Sequence, residues 1–152
     1  MTTSSPPCIR IRVAGVLSEN GKVLLVCHEK ENKKYWLLPG GGIDFGESLE
    51  KALVREFLEE TSIHIRVGRL LMINEVIAPD GSRHGLHFTF LVKRISGELK
   101  ANPDERLRLA EFVKWENIPH LAFFPNIKEK LFTLYQKRFR TSIVFTGNIW
   151  IP

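Results

Sequence analysis

Hydrophobic and polar residues alternate near the start of the chain in the pattern of a half-buried β-strand. Within residues 9–17, isoleucine and valine side chains alternate with Arg10 and Arg12, and this period of two predicts a strand. The pair Asn20-Gly21 that follows is a strong hairpin signal. Residues 23–27 then return as an uninterrupted apolar run. The pattern therefore predicts a β-hairpin at the start of the chain.

The middle of the chain changes to a helical pattern. Ser48 is a suitable N-cap, and neither proline nor glycine follows it until Gly68, so we predict a helix over residues 48–62. A last helix is predicted after Pro125, where apolar residues recur on one face. Strand patterns occupy residues 35–38, 66–78, 86–95 and 111–116, and the glycines at 40–42 predict a loop whose backbone approaches other groups closely. This mixture predicts an α/β or α+β sandwich.

Composition adds few constraints to this picture. The 152 residues, 43% of them hydrophobic and 26% charged, suit one globular domain over residues 1–152. No run approaches the ~20 apolar residues of a membrane span, and the start lacks the apolar core of a secretory signal, so we expect a cytoplasmic protein without membrane attachment. Cys8 and Cys27 give no disulfide framework.

The charge of the chain favours anionic partners without selecting one. The net charge is +5, which attracts nucleotides and nucleic acids alike. The positive residues are scattered, and their densest run, residues 137–140, is also typical of a helix end exposed to solvent. The charge alone decides nothing between a small-molecule nucleotide and nucleic acid, although nucleic acid is the less favoured partner because a solvated helix end explains the run more often.

The predicted helix over residues 48–62 carries the strongest candidate for chemistry. In a helical projection, Glu56, Glu59 and Glu60 gather nearly opposite the apolar side, at spacings that bring neighbouring Cβ atoms within about 5–6 Å. Like charges so placed repel, and Arg55 offsets only part of the repulsion. One interpretation is an acidic face in contact with solvent. The other is a site for a hard divalent cation such as Mg²⁺, which prefers carboxylate oxygens.

The sequence around this helix resembles the Nudix box. The matching positions are Gly41, five residues, Glu47, seven residues, and the run Arg55-Glu56-Phe57-Leu58-Glu59-Glu60-Thr61-Ser62-Ile63. Only Ser62 departs, where the family usually has a glycine that ends the helix in a left-handed turn. The segments 36–41 and 111–119 look like the family's strand into the box and its late strand and turn. The resemblance extends over about residues 10–135.

The resemblance implies a Nudix-type α/β/α sandwich with a mixed β-sheet, and a pyrophosphohydrolase that uses Mg²⁺, with Mn²⁺ as a substitute. It implies that Arg55 orients a glutamate and that Glu47 braces the loop against the helix. The general base is either Glu56 or Glu105, and the sequence does not choose between them. The implied metal ligands are the Gly40 carbonyl, Glu56, Glu59 and Glu60, and the implied catalytic residues are Arg55, Glu56, Glu59 and Glu105.

Substrate choice depends on residues outside the box. Pro79 lies sixteen residues beyond Ile63, where the branch acting on ADP-ribose and nucleotide sugars tends to carry proline, although Pro-Asp-Gly is also an ordinary turn. Phe124 and Asn126 belong to a segment resembling that with which 8-oxo-dGTP-type members bind the base, although Asn126 is also a plausible helix cap. A nucleoside diphosphate linked to a sugar is favoured.

Three alternatives remain open. The first is an oxidised nucleoside triphosphate as the substrate, and the second is capped RNA. The third is a catalytically inactive, nucleotide-binding regulator of Nudix type, a class that commonly loses the carboxylates of the box.

The tail over residues 141–152 lies outside the family pattern. It contains two apolar clusters joined by the plausible turn Thr146-Gly147-Asn148, and large apolar side chains are rarely left in water. We expect a homodimer in which the tail packs on the partner. The alternative is a strand that completes the edge of the chain's own sheet.

Overall fold

The computed structural model describes residues 7–104 and 106–150, and in these it contains nine β-strands, two α-helices and one 3₁₀ helix. The strands are β1 (Arg10–Val16), β2 (Ser18–Glu19), β3 (Lys22–Lys30), β4 (Lys33–Leu37), β5 (Gly40–Gly42), β6 (His64–Ile77), β7 (His84–Ser96), β8 (Leu107–Lys114) and β9 (Val144–Asn148). The helices are α1 (Leu49–Thr61), the 3₁₀ helix (Trp115–His120) and α2 (Lys128–Gln136). Within the described ranges no helix is long and apolar enough to cross a membrane.

The strands form two sheets. The larger has the order β5-β1-β7-β6-β9 and is mixed, since β1 runs parallel to β7 and β6 runs parallel to β9, while its other neighbours are antiparallel. In the smaller sheet β3 pairs antiparallel with β2, β4 and β8. The predicted α+β fold with a mixed sheet is therefore confirmed.

The two helices pack on opposite sides of β1. Val13 belongs to a core cluster with Phe57 of α1, which is fully buried and contributes roughly 1.5–3 kcal/mol by its burial. The next residue, Ala14, belongs to a second cluster with Leu131 of α2. Successive side chains of a strand point to opposite faces, so the sheet is covered by α1 on one face and α2 on the other.

Most predicted elements are found, with local differences. The turn at Asn20-Gly21 is present, with both residues at positive φ. It joins only the short strand β2 to β3, because β1 pairs with β5 and β7 in the other sheet, so the predicted hairpin between residues 9–17 and 23–27 was wrong. Ser48 caps α1 by accepting a hydrogen bond from the Lys51 backbone N–H at 3.2 Å. The glycine loop at 40–42 is instead the short strand β5, paired with β1, because residues without side chains can approach β1 closely. Of the two cysteines, both free, Cys27 is buried but Cys8 is exposed.

Ser62 keeps the helix end that the family makes with glycine. Its φ of 62° and ψ of 17° are left-handed, and its backbone N–H donates to the Leu58 carbonyl, which is the usual helix-ending turn. The hydroxyl donates to the Lys100 carbonyl at 3.1 Å and accepts from the Asn102 amide at 3.1 Å. These bonds hold the serine in a conformation that glycine adopts more easily.

The tail packs on its own domain. Strand β9 runs parallel to β6 at the sheet edge, and Val144 and Ile149 pack against the α2-side core. This is the alternative we considered for the tail, and its packing needs no partner. Ile143 and Phe145 remain 56% and 65% exposed, so a homodimer through this edge stays a prediction.

Two aspartate substitutions, at Val144 and at Phe145, distinguish packing of the tail on its own domain from a homodimer formed through β9. Val144→Asp should lower the free energy of unfolding by about 1–3 kcal/mol, because it places a charge against the core. Phe145→Asp, one residue away on the opposite face of β9, should leave denaturant unfolding almost unchanged. Equal effects of the two substitutions would contradict the intramolecular packing. A fall in mass by light scattering for Phe145→Asp alone would support a dimer through β9.

Candidate active site

Strand β5 lies directly against the acidic side of α1. A Cβ atom added to Gly41 would stand 2.3 Å from the Cδ atom of Glu56, a separation that real side chains do not reach. A Cβ atom at Gly42 would meet nothing closer than the Ile11 carbonyl at 3.9 Å. Position 41 therefore requires glycine because the Glu56 carboxylate occupies the space where a side chain would be.

Arg55 joins the loop before α1 to the glutamates of the helix. Its Nε and Nη2 atoms donate to the two carboxylate oxygens of Glu47 at 2.8 and 2.9 Å, and Nη2 also donates to the Gly42 carbonyl at 3.2 Å. The Nη1 atom donates to Glu56 at 2.8 Å and to Glu59 at 3.5 Å. Hydrogen bonding to Arg55 lowers the pKa of Glu47 to about 2, so this ion pair persists over the physiological pH range.

The side chain of Glu60 points away from Arg55 and toward strand β5. Its Oε2 atom accepts a hydrogen bond from the Gly40 backbone N–H at 3.3 Å. Burial raises the pKa of Glu60 to about 8, against the opposing effect of the Arg12 guanidinium. The ionised form of this carboxyl group is therefore poorly compensated by the protein, and an added cation would stabilise it.

The three glutamates of α1 are suitable ligands for a hard divalent cation, but their carboxylate groups do not converge on one point. Glu56, Glu59 and Glu60 offer oxygen atoms alone, as Mg²⁺ prefers, and the raised pKa of Glu60 marks a place where positive charge is lacking. Within residues 7–104 and 106–150, no three carboxylate, imidazole or thiol groups converge closely enough to hold a metal ion. The reason is visible in the contacts, since Arg55 lies between Glu56 and Glu59 while Glu60 bonds to Gly40.

The other predicted residues lie at different distances from this cluster. Pro79 is in the exposed turn between β6 and β7. Phe124 is half-buried and lines a groove with Arg12, whereas Asn126 is exposed and lines a separate depression with Phe145. The N-cap of α2 is Ile127, so Asn126 does not cap that helix. Glu105 lies outside the described residues.

Sequence reasoning missed the polar residues on the floor of the groove that Phe124 lines. Arg12 was expected on the polar face of a half-buried strand, but it is half-buried on the α2 side and donates to the Leu38 carbonyl at 3.2 Å. Asn74, His87 and Thr89 line the same groove. The alternation around Arg12 was the only signal in the sequence, because the meeting of these residues depends on the pairing of distant strands.

Comparison with known proteins agrees with this geometry. The sequence matches the NUDIX domain family over residues 7–135. It is 37% identical over 115 residues to the ADP-ribose pyrophosphatase of Methanocaldococcus jannaschii, which covers 74% of this chain and 66% of that protein. It is 28% identical over 115 residues to the NAD-capped RNA hydrolase NudC of Pectobacterium carotovorum, covering 76% of this chain and 41% of that protein. The matched region is thus just under two thirds of the first relative and less than half of the second.

Solved structures show the same fold. A NUDIX hydrolase from Nitrosomonas europaea superposes with a TM-score of 0.76 at 22% identity, covering 86% of this chain and 90% of that one. The match to the family extends over most of the chain. It includes helix α1 with its glutamates, strand β5, and Arg55 with its partner Glu47. The chain therefore belongs to the NUDIX family, a family of hydrolases that act on nucleoside diphosphate derivatives.

Proposed function

We propose that this protein hydrolyses the pyrophosphate bond of a nucleoside diphosphate linked to another group, with ADP-ribose or a nucleotide sugar as the favoured substrate. The reaction would use Mg²⁺, or Mn²⁺ as a substitute, and would release a nucleoside monophosphate. The observation that carries the proposal is the packing of Glu56 against Gly41, beside Glu60 bonded to Gly40. This arrangement presents carboxylate oxygens, the ligands that Mg²⁺ prefers, beside β5 at the edge of the larger sheet.

The residues that would hold the metal are Glu56, Glu59 and Glu60, together with the Gly40 carbonyl. The ion would neutralise the charge that develops on the attacking and leaving oxygens of the pyrophosphate. Arg55 donates to Glu47 through two nitrogen atoms, which fixes its guanidinium group so that Nη1 would orient Glu56 and Glu59. We assign Arg55 to the positioning of these carboxylates rather than to substrate binding.

Hydrolysis needs a base for the attacking water. The water oxygen bonds to one phosphorus, the bond from that phosphorus to the bridging oxygen breaks, and the bridging oxygen leaves with the other phosphate. The water proton passes to a carboxylate. Glu56 and Glu105 are the two candidates, and the half-buried position of Glu56, with a side chain only 16% exposed, is compatible with either coordinating or accepting a proton.

The choice of substrate rests on the relatives and on Pro79. The relative from M. jannaschii is named an ADP-ribose pyrophosphatase, and Pro79 stands where that branch tends to carry proline. A second candidate is an oxidised nucleoside triphosphate. Phe124 supports it, because Phe124 belongs to the segment that resembles the base-binding segment of 8-oxo-dGTP-type members, and it lines the groove beside Arg12. The presence of all three box glutamates argues against an inactive regulator. A cytoplasmic location and a homodimer are further parts of the proposal.

A substrate panel tests the proposed reaction. With Mg²⁺ present, ADP-ribose should be cleaved faster than nucleoside triphosphates or capped RNA, giving AMP and ribose 5-phosphate. In water enriched in heavy oxygen, mass spectrometry should find the label in one of these two phosphate products. Label on a free sugar, with the diphosphate intact, would mean glycosidic cleavage and would refute the mechanism. Faster cleavage of an oxidised triphosphate would select the second candidate.

The neighbouring glycines of β5 provide a matched pair of variants. Gly41→Ala should lower turnover by about tenfold or more, because the new methyl group displaces the Glu56 carboxylate, and a misplacement of about 1 Å can cost that much. Gly42→Ala should keep nearly full activity, since its Cβ atom would meet only the Ile11 carbonyl, at an ordinary contact distance of 3.9 Å. Steady-state kinetics with thermal unfolding of both variants makes the comparison. Similar kinetics for the two would show that the approach of Gly41 to Glu56 does not matter for the reaction.

A further inference from the structure

The last turn of helix α1 carries two of the three glutamates that would bind the metal. The helix ends at Thr61, so Glu59 and Glu60 are both within its last turn. The last four carbonyl groups of a helix have no partner inside the helix, and helix ends fray readily. The two carboxylates therefore keep fixed positions only if groups outside the helix hold the backbone of this turn.

A short segment after β7 supplies partners for three of these carbonyl groups. The Glu59 carbonyl accepts from the side-chain amide of Asn102 at 2.8 Å. The Glu60 carbonyl accepts from the Asn102 backbone N–H at 3.2 Å, and the Thr61 carbonyl accepts from the Lys100 backbone N–H at 3.0 Å. The fourth carbonyl is bonded in the helix-ending turn described above. The whole end of the helix is thus satisfied by protein groups.

Ser62 connects the same segment to the residue that ends the helix. Its hydroxyl donates to the Lys100 carbonyl at 3.1 Å and accepts from the Asn102 side-chain amide at 3.1 Å. That amide therefore bonds at once to the serine hydroxyl and to the Glu59 carbonyl. The glycine that the family usually has here would make neither side-chain bond. We call Ser62, Lys100 and Asn102 the clasp, and the one departure of this chain from the Nudix box is a member of it.

The segment that carries the clasp is itself anchored to the domain. Leu99 packs against the core cluster on the α1 side of the larger sheet. Gly97 has a φ of 91°, and a Cβ atom there would stand 2.4 Å from the Ser62 carbonyl, so the chain passes the end of the helix at a distance that only glycine allows. The clasp can therefore hold the helix end, because its own position depends on separate contacts.

The carboxylates of the last turn reach a common metal ion only by rotation of their side chains. Glu59 accepts from Arg55, and Glu60 accepts from the Gly40 backbone N–H, so the two carboxylates have different partners in the structure. Rotation brings them to one ion only if the backbone that carries them stays in place. Supporting residues of this kind are important for metal binding, since their loss typically costs about 10–100-fold in metal affinity.

We propose that Ser62 and Asn102 are positioning residues of the metal site. Their hydrogen bonds fix the last turn of α1 against the segment after β7, so that Glu59 and Glu60 present their carboxylates from fixed backbone positions. The serine thus adds a hydrogen-bonded support at a position where the family's glycine serves the turn alone. The inference deepens the proposed function and rests on it for the metal-binding role of the two glutamates.

Binding of Mn²⁺ without nucleotide tests the clasp. Electron paramagnetic resonance measures free Mn²⁺ during a titration of the protein, so it gives the metal affinity without turnover. Ser62→Gly, Ser62→Ala and Asn102→Ala should each weaken Mn²⁺ binding about tenfold, at the lower end of the usual effect because they act through the backbone. In the Ser62 variants the backbone N–H of Asn102 should also exchange its hydrogen faster, because the clasp opens more often.

The two Ser62 substitutions separate the clasp from stability. Glycine adopts the left-handed conformation of this position more easily than alanine, so Ser62→Gly should unfold at a higher temperature than Ser62→Ala. Both variants lose the hydroxyl, so both should bind Mn²⁺ equally weakly. Metal affinity that instead follows the unfolding temperature, with Ser62→Gly binding like wild type, would show a purely structural role and overturn the proposal.

Asn148→Ala is the matched control for Asn102→Ala. The Asn148 side chain also joins two segments, since it accepts from the Ile77 backbone N–H at 2.9 Å. It belongs to β9, at the opposite edge of the larger sheet from β5, so Asn148→Ala should keep the wild-type Mn²⁺ affinity. An equal loss of affinity in both variants would trace the effect to general destabilisation and count against the clasp. If Asn102→Ala does not fold, Ser62→Gly decides the question.

Glu59→Gln separates this outcome from that of the proposed function. If Glu59→Gln weakens Mn²⁺ binding while the clasp variants bind like wild type, the clasp alone is rejected. If Glu59→Gln also binds like wild type, the glutamates do not hold the metal, and the proposed function fails together with the inference.

Discussion

The site depends on how closely β5 can approach helix α1. At Gly41 the Glu56 carboxylate occupies the space of a side chain, and at Gly40 a Cβ atom would stand 2.0 Å from the Val13 carbonyl. The strand is thus wedged between β1 and the helix, and only backbone atoms fit there. That contact brings the Gly40 backbone N–H within reach of Glu60 and holds the carboxylates at the edge of the sheet.

The glutamates of α1 repel one another, and the positive charge of the protein compensates this repulsion only in part. Three carboxylates share one side of a helix, where each close like-charged pair costs roughly 0.2–0.5 kcal/mol. Arg55 offsets this for Glu56 and Glu59, but two of its nitrogens are committed to Glu47. Glu60 is left with a pKa raised to about 8. A divalent cation would supply the missing charge, so the same feature that destabilises the free site favours a bound metal.

The sequence predicted the elements with strong local signals. Helix α1, its Ser48 cap and the turn at Asn20-Gly21 depend on nearby residues, so the pattern of residue types was sufficient. The pairing of β1 with β5 and β7 depends on distant residues, and the pattern therefore assigned β1 to the wrong partner. The spacing of the glutamates in the box predicted that they share one helix face. The strand nature of residues 40–42 was missed, because glycine carries no side-chain pattern and pairing with β1 decides its conformation. The position of the tail along β6 could not be chosen from apolar clusters alone.

The polar residues of the groove that Phe124 lines could not be predicted as a group from the sequence. His87 and Asn74 are thirteen residues apart along the chain and meet only through the register of β6 with β7, which no short motif encodes. Arg12 carried a signal, but period-two alternation could not say that its face would be covered by α2. Local motifs therefore predicted the chemistry of the acidic helix, and strand pairing determined the groove beside it.

The central claim is that the glutamates of α1 hold a catalytic divalent cation, and the most direct test is the magnesium-dependent turnover of Glu59→Gln beside Glu50→Gln. Both changes remove one carboxylate from the same helix, but Glu50 lies in its exposed first turn. Glu59→Gln should lower turnover about a hundredfold or more, because metal stabilisation of the transition state is worth several kcal/mol, with the unfolding temperature unchanged. Glu50→Gln should match wild type. A Glu59→Gln protein that keeps more than about half of the wild-type rate at saturating magnesium would contradict the account.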